Sequence, residues 1–240
     1  MTDLDLSKLS REEREELLAL LEEQDRRQSQ RRLYDLYPDT GPLRRELYPK
    51  HLEFFQAGRK HQERCMMAGN RVGKTYGVGG YETTLHLTGR YPEWWQGHRF
   101  EHPIDAWAAG DTGQTTRDIV QHALLGPIGS WGTGLIPGEH VIGTPTGRAG
   151  ITGAVDTVRV QHATGGTSTL GFKSYDQGRE SFQGTAKHVV WLDEEPPMDV
   201  YSESLLRLMT VNGLMLCTFT PLRGLTDVAL LFMPGLAPAA

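Results

Sequence analysis

The segment Ala68-Gly69-Asn70-Arg71-Val72-Gly73-Lys74-Thr75 constrains the fold of this chain more than any other. It follows the short apolar run Cys65-Met66-Met67 and precedes a stretch through Thr83 to Leu87 that reads as helix. Strand, Gly-rich turn and helix in that order wrap backbone N–H groups around a site at the positive end of a helix dipole, which is a cradle for phosphate. The eight residues match the P-loop pattern with Ala68 in place of its first glycine. In that pattern Lys74 reaches the β- and γ-phosphates and the Thr75 hydroxyl binds Mg²⁺, while Arg71 adds a fixed positive charge inside the loop.

A phosphate cradle that hydrolyses its ligand needs a further carboxylate for the metal, and Val189-Val190-Trp191-Leu192-Asp193-Glu194-Glu195 supplies one at the end of an apolar strand. Asp193 is the expected Mg²⁺ residue. The adjacent Glu194 is placed to polarise an attacking water, a task that requires a carboxylate at the strand tip beside the γ-phosphate. Together the two motifs point to a nucleotide hydrolase. The lysines stand only at 8, 50, 60, 74, 173 and 187, so the Asn-Lys-x-Asp motif that reads guanine is absent, and ATP is favoured over GTP.

The rest of the chain agrees with an α/β domain. Its 240 residues, 38% of them hydrophobic, suffice for one large core. Arg64 to Ala68, Ile104 to Ala109, Val189 to Leu192 and Leu214 to Phe219 are strands without alternation, separated by predicted helices at Thr115 to Leu125 and Tyr201 to Thr210. That predicts a mostly parallel sheet buried on both faces. Thr157 to Gln161 and Thr169 to Lys173 flank Gly165-Gly166 and predict a hairpin. Ser10 and Glu13 form a capping-box signature for a helix from about Arg11 to the low thirties, acidic first and basic later. The turn cluster Tyr37-Pro38-Asp39-Thr40-Gly41-Pro42 then divides the chain into an N-terminal helical arm, 1–40, and a P-loop domain, 41–240.

The order of these motifs, with the later strand ending Thr218-Phe219-Thr220-Pro221, resembles the large terminase subunits of tailed bacteriophages. Gly89 to Trp95, Tyr175 to Glu180 and Phe182-Gln183-Gly184 look like the same family, and the similarity spans about Leu47 to Val228. The resemblance implies a P-loop NTPase of the division with an additional central strand and a catalytic glutamate. It casts Glu194 as the base, Asp193 as the metal residue, and Thr218 and Thr220 as the motif coupling γ-phosphate to movement. Tyr48-Pro49-Lys50-His51 resembles the adenine-binding element, with Tyr48 stacking on the base and His51 where a glutamine is common. Relatives carry a finger arginine where Gln183 stands here; Arg179 is the substitute, with Arg71, Arg148 and Arg223 as alternatives.

By the same resemblance the function is to hydrolyse ATP and drive double-stranded DNA into a procapsid. A homo-oligomeric ring, the portal protein and the small terminase subunit are the implied partners, in the host cytoplasm. The net charge of −5 limits DNA contact to a local patch or another domain. Only Asp227 follows the coupling motif as a carboxylate, so the family's C-terminal nuclease domain is expected to be absent. A helicase would use the same Lys74, Asp193 and Glu194 but needs a second motor lobe; a non-hydrolysing assembly module has no use for Glu194. No apolar run approaches membrane length, and the acidic N-terminus is unlike a secretory signal. Cys65 and Cys217 fall in apolar strands and read as free thiols. His98 and His102 lie among loop formers rather than on a helix, and Trp94-Trp95 reads as a packed anchor.

Overall fold

The computed structural model describes residues 10–29, 32–233 and 235. In chain order the elements are α1 (Arg11–Ser29), α2 (Arg32–Asp35), α3 (Pro49–Ala57) and β1 (Glu63–Met67). A π-helical segment, Lys74–Gly80, then runs into α4 (Tyr81–Thr88), followed by β2 (Asp105–Gly110). Next come α5 (Gly113–Thr115), a second π-helical segment (Thr116–Gln121) and α6 (His122–Leu125). The chain continues with β3 (Thr146–Gly147), β4 (Val155–Gln161), β5 (Thr167–Ser174), β6 (Val189–Asp193), α7 (Met198–Met209), β7 (Leu214–Phe219) and α8 (Asp227–Leu231).

The strands form one mixed sheet in the order β1-β7-β6-β2-β5-β4-β3. The first five of these neighbours are parallel, and β5-β4-β3 are antiparallel. The last strand in sequence, β7, is thus inserted between the P-loop strand and the strand carrying Asp193. Its register puts Thr218 opposite Met66 on one side and opposite Asp193 on the other. This is the additional central strand that the resemblance implied. All three strands deliver their C-terminal ends to one edge, where open parallel sheets bind ligands.

The absence of alternation in β6 has a direct cause. Val189 and Trp191 belong to one core cluster, with Val78, Tyr81, Leu85, Leu124 and Leu216, while Val190 and Leu192 belong to another, with Trp107, Phe182, Tyr201, Met215 and Phe219. Helices cover both faces, so apolar side chains are required on both. Cys65 and Cys217 are in register on β1 and β7 as free thiols. Burial raises both, Cys65 to about 12.

Three expectations shift in detail. α7 begins at Met198 rather than Tyr201, directly after Pro197, whose fixed φ suits the position before a helix. The long predicted N-terminal helix is described as α1 and α2, with residues 30 and 31 outside the described set. The turn cluster at 37–42 is no gap in the packing, since Leu33 and Tyr37 lie in the main core. α1 differs: Leu18, Leu20 and Leu21 are exposed on it. Trp95 is buried and Trp94 packs on the core, as an anchor does. No described helix is long and apolar enough to cross a membrane.

Candidate nucleotide site

The loop between β1 and the first π-helical turn has the backbone that its sequence requires. Gly73 adopts φ +83°, a left-handed value that costs glycine little, and Arg71 is held at φ +63°. The Gly77 and Val78 N–H groups both donate to the Gly73 carbonyl, at 2.7 and 3.1 Å, which opens the helix with a π-turn, a feature common at functional sites. Lys74 is 8% exposed. Its Nζ donates to the Ala68 carbonyl at 3.0 Å, the Gly69 carbonyl at 2.6 Å and Thr220 Oγ1 at 2.9 Å. Thr220 Oγ1 in turn lies 2.9 Å from the Ala68 carbonyl and 3.0 Å from Asn70 Oδ1. The loop, its lysine and the end of β7 form one polar unit. Val72 and Arg71 remain exposed on its rim.

Asp193 closes the site from β6. The Thr75 hydroxyl lies 3.0 and 3.1 Å from the two Asp193 carboxyl oxygens, and Thr218 Oγ1 donates to Oδ1 at 2.7 Å. Thr218 is itself fixed by Trp191 Nε1, which donates to its hydroxyl at 2.7 Å. The indole reaches that position because residue 79 is glycine: a Cβ there would stand 2.1 Å from Trp191 Nε1. Asp193 is 2% exposed, and burial raises its pKa to about 7 against the pull of the Thr218 and Thr75 hydrogen bonds. A buried carboxylate beside a hydroxyl is an all-oxygen donor pair, and the buried carboxylate gains most from a cation. Among the described residues no group of three metal-ligating side chains occurs. As hard oxygen donors, Thr75 and Asp193 fit Mg²⁺, which takes one or two protein oxygens and completes its shell with water and phosphate.

Glu194 turns out of β6 at φ +65°, a strained conformation for a residue with a side chain. Its N–H donates to the Thr218 carbonyl at 3.0 Å. The Tyr175 hydroxyl lies 2.9 Å from the Asp193 carbonyl and 3.0 Å from that of Glu194, clamping the turn from the other side. The Glu194 side chain lines a cleft of about 240 Å³ with Asp111, Glu195, Thr220, Leu222 and Arg223. Burial raises its pKa, Lys74 lowers it and Asp111 raises it. A carboxylate raised in this way accepts a proton more readily. Glu195 is tied to the Thr226 hydroxyl, the cap of α8.

Some predicted residues lie elsewhere. Arg179 Nε pairs with the buried Glu203 Oε2 on α7 at 2.8 Å, a carboxylate that it shares with Arg207 at 3.0 Å. Arg148 donates to Ser174 Oγ at 3.3 Å. Tyr48 stacks on His51, with ring centroids 5.3 Å apart and planes at 29°. The rings of His98 and His102 pack on Phe100. Sequence reasoning assigned no role to Tyr175, Trp191 or Asp111. Tyr175 stood only at the head of a family-like segment, Trp191 inside an apolar strand, and Asp111 just beyond the predicted strand Ile104 to Ala109; the fold brings them to Asp193 and Glu194.

The profile of the family Terminase large subunit, T4likevirus-type, N-terminal, matches residues 65–230, more than half of the chain. The curated "Terminase, large subunit" of Salmonella phage P22 is 38% identical over 251 residues, covering 96% of this chain and 48% of that protein. The chain thus spans about half the length of that relative. Among solved structures, an arginine-to-alanine mutant of the large terminase ATPase domain of Thermus phage P74-26 matches with TM-score 0.48 and 18% identity, over 76% of this chain and 72% of that one. The large terminase of a thermophilic bacteriophage in complex with ADP gives TM-score 0.48 and 17% identity, over 72% and 37%. On the family match over residues 65–230, which takes in the loop, Asp193, Glu194 and Thr220, the chain belongs to the large terminase subunits, in their N-terminal T4likevirus-type family.

Proposed function

We propose that this chain is the motor domain of a large terminase, which binds Mg²⁺-ATP and hydrolyses it to drive double-stranded DNA into a procapsid. The observation that carries this reading is the convergence of Lys74, Thr75, Asp193, Glu194 and Thr220 on one edge of the sheet. An incoming triphosphate replaces the Ala68 and Gly69 carbonyls as the partner of the Lys74 ammonium. Thr75 and Asp193 would hold Mg²⁺, which would supply charge neutralisation at the phosphates. Glu194 takes the proton of the attacking water at its carboxylate. Thr220 lies between Lys74 and the loop carbonyl of Ala68, so its hydroxyl registers the phosphate's arrival and departure at the end of β7.

The remaining component is a positive charge for the transition state. We assign it to Arg179, donated to a neighbouring site within a homo-oligomeric ring after leaving Glu203; Arg223 beside Glu194 is the alternative within one chain. Portal protein and small terminase subunit complete the partners, in the host cytoplasm, with DNA met by a local patch given the net charge of −5.

Phosphate release measured against protein concentration, with and without double-stranded DNA, tests the ring. Specific activity is expected to rise with concentration. Mixing Arg179→Ala with Lys74→Ala subunits is expected to restore turnover, since a mixed contact joins an intact loop to an intact finger. Such a finger is worth roughly 10³–10⁵ in rate. Wild-type turnover by the Arg179→Ala protein alone would move the finger to Arg223, Arg148 or Arg71.

A further inference from the structure

Two buried side chains from outside the P-loop grip its backbone. Tyr37, 4% exposed, comes from the turn after α2, and His51, 7% exposed, from α3. The Tyr37 hydroxyl lies 2.6 Å from the Gly77 carbonyl and 2.7 Å from His51 Nδ1. His51 Nε2 lies 3.0 Å from the Val72 carbonyl. The two carbonyls flank Gly73-Lys74-Thr75, so the pair spans the phosphate-binding turn from behind.

Both carbonyls can only accept, and the protons must come from the phenol and the imidazole. With the ring proton on Nδ1, that N–H donates to the phenol oxygen and the phenol donates to the Gly77 carbonyl. With it on Nε2, the ring donates to the Val72 carbonyl, and the one phenol proton is shared between the Gly77 carbonyl and Nδ1. In either tautomer each ring nitrogen already faces a protein oxygen, and neither is left for a ligand. The approach is close: a Cβ at Gly73 would stand 3.2 Å from His51 Cε1, and one at Gly77 would stand 3.0 Å from the Tyr37 hydroxyl. Tyr37 holds φ +58°, a conformation that persists for a side-chain-bearing residue only where its surroundings over-determine it.

We propose that Tyr37 and His51 are positioning residues that hold the P-loop backbone in its phosphate-binding curve, and that His51 takes no part in selecting the nucleobase. The proposal rests on the reading above that this loop binds a nucleoside triphosphate. A side chain that reads a base edge must turn a donor or acceptor toward it, and both ring nitrogens of His51 are turned to protein oxygens instead. The base is left to stacking, which tolerates any π-face, and Tyr48 is the neighbouring ring with a partly exposed surface.

Isothermal titration of Mg²⁺-ATP, Mg²⁺-GTP and Mg²⁺-triphosphate separates the two roles, because triphosphate has no base. The proteins are wild type, Tyr37→Phe, His51→Ala and His51→Gln, each checked by thermal melting. Tyr37→Phe and His51→Ala are expected to weaken all three ligands by one common factor, on the order of tenfold, the loss of a buried hydrogen bond. His51→Gln keeps an amide donor near the Val72 carbonyl and is expected to recover part of that loss for all three. A loss confined to ATP, with triphosphate binding unchanged, would show that His51 reads adenine and overturn the proposal. Unchanged affinity for all three ligands in folded variants would overturn it too. Where His51→Ala does not melt cooperatively, Tyr37→Phe carries the test, since it deletes only one oxygen. Failure of the hydrolysis reading shows separately, as wild-type protein that binds triphosphate but releases no phosphate.

Discussion

At the scale of single residues, the site is a chain of hydroxyls and one indole converging on a buried carboxylate. Thr218 accepts from Trp191 and donates to Asp193, so its hydroxyl serves both the packing and the metal residue. Replacing it, as Thr218→Val, leaves the Trp191 N–H without an acceptor at about 1–3 kcal/mol of stability. It also frees Asp193 to rotate, and turnover is expected to fall about 10–100-fold, the usual cost of losing a ligand's supporting hydrogen bond. Urea denaturation and phosphate release read the two effects independently; unchanged turnover would show that Thr218 does not orient Asp193. The place of Asp193 and Glu194 at the tip of an apolar strand beside the loop was legible in the sequence, because the P-loop pattern calls for a carboxylate at a later strand end. Trp191 was not, because a tryptophan in an apolar run reads as filler until the register shows a threonine beside its N–H.

At the scale of elements, β1 and α4 hold the P-loop from its two sides, and a buried ion pair joins them. Arg64 on β1 donates through both terminal nitrogens to Glu82 on α4, at 2.7 and 3.0 Å, and stacks on Phe54, 4.6 Å from its centroid. His86 Nε2 lies 3.2 Å from Glu82, and its Nδ1 lies 2.9 Å from the Tyr91 hydroxyl, which accepts from the Phe100 N–H. Replacing Glu82 by glutamine leaves a buried guanidinium without its anion and is expected to cost about 3–5 kcal/mol, read as a lower urea midpoint. A change below about 1 kcal/mol would place this pair with surface ion pairs instead. The strands themselves were readable from apolar runs and glycine turns, and the hairpin from Gly165-Gly166. The π-helical turn at Lys74–Gly80 and the two-residue β3 were not, since they depend on Gly77 meeting Tyr37 and His51, on Gly79 and Gly80 meeting Trp191 and Leu135, and on pairing across a loop rather than on local pattern.

At the scale of the whole molecule, burial gives the fold a direction in pH. His51, His86, His98, His140, His162 and His188 all have folded pKa values below 6.5, with burial as the first cause. As pH falls below about 6.5 the unfolded chain takes up these protons before the folded one, so stability falls with pH. Asp193, raised to about 7, and Glu194 act in the opposite sense, favouring the folded state as they protonate. The six imidazoles are expected to outweigh the two carboxylates. The melting temperature is expected to drop between pH 7 and pH 5.5, and a rise over that interval would mean that the carboxylates dominate. The insertion of β7 between β1 and β6 was expected from the resemblance alone, because long-range strand order leaves no trace in local periodicity.

The central claim is that Glu194 removes a proton from water at a site whose ATP is held by other groups. Glu194→Gln keeps size and hydrogen-bonding reach but removes the base. Single-turnover phosphate release and ATP affinity, measured together on wild type and Glu194→Gln, test this most directly. The expected result is wild-type release of phosphate, a loss in the variant of at least about 10²-fold, and ATP affinity within a few-fold of wild type. Near-normal phosphate release from Glu194→Gln would contradict the account.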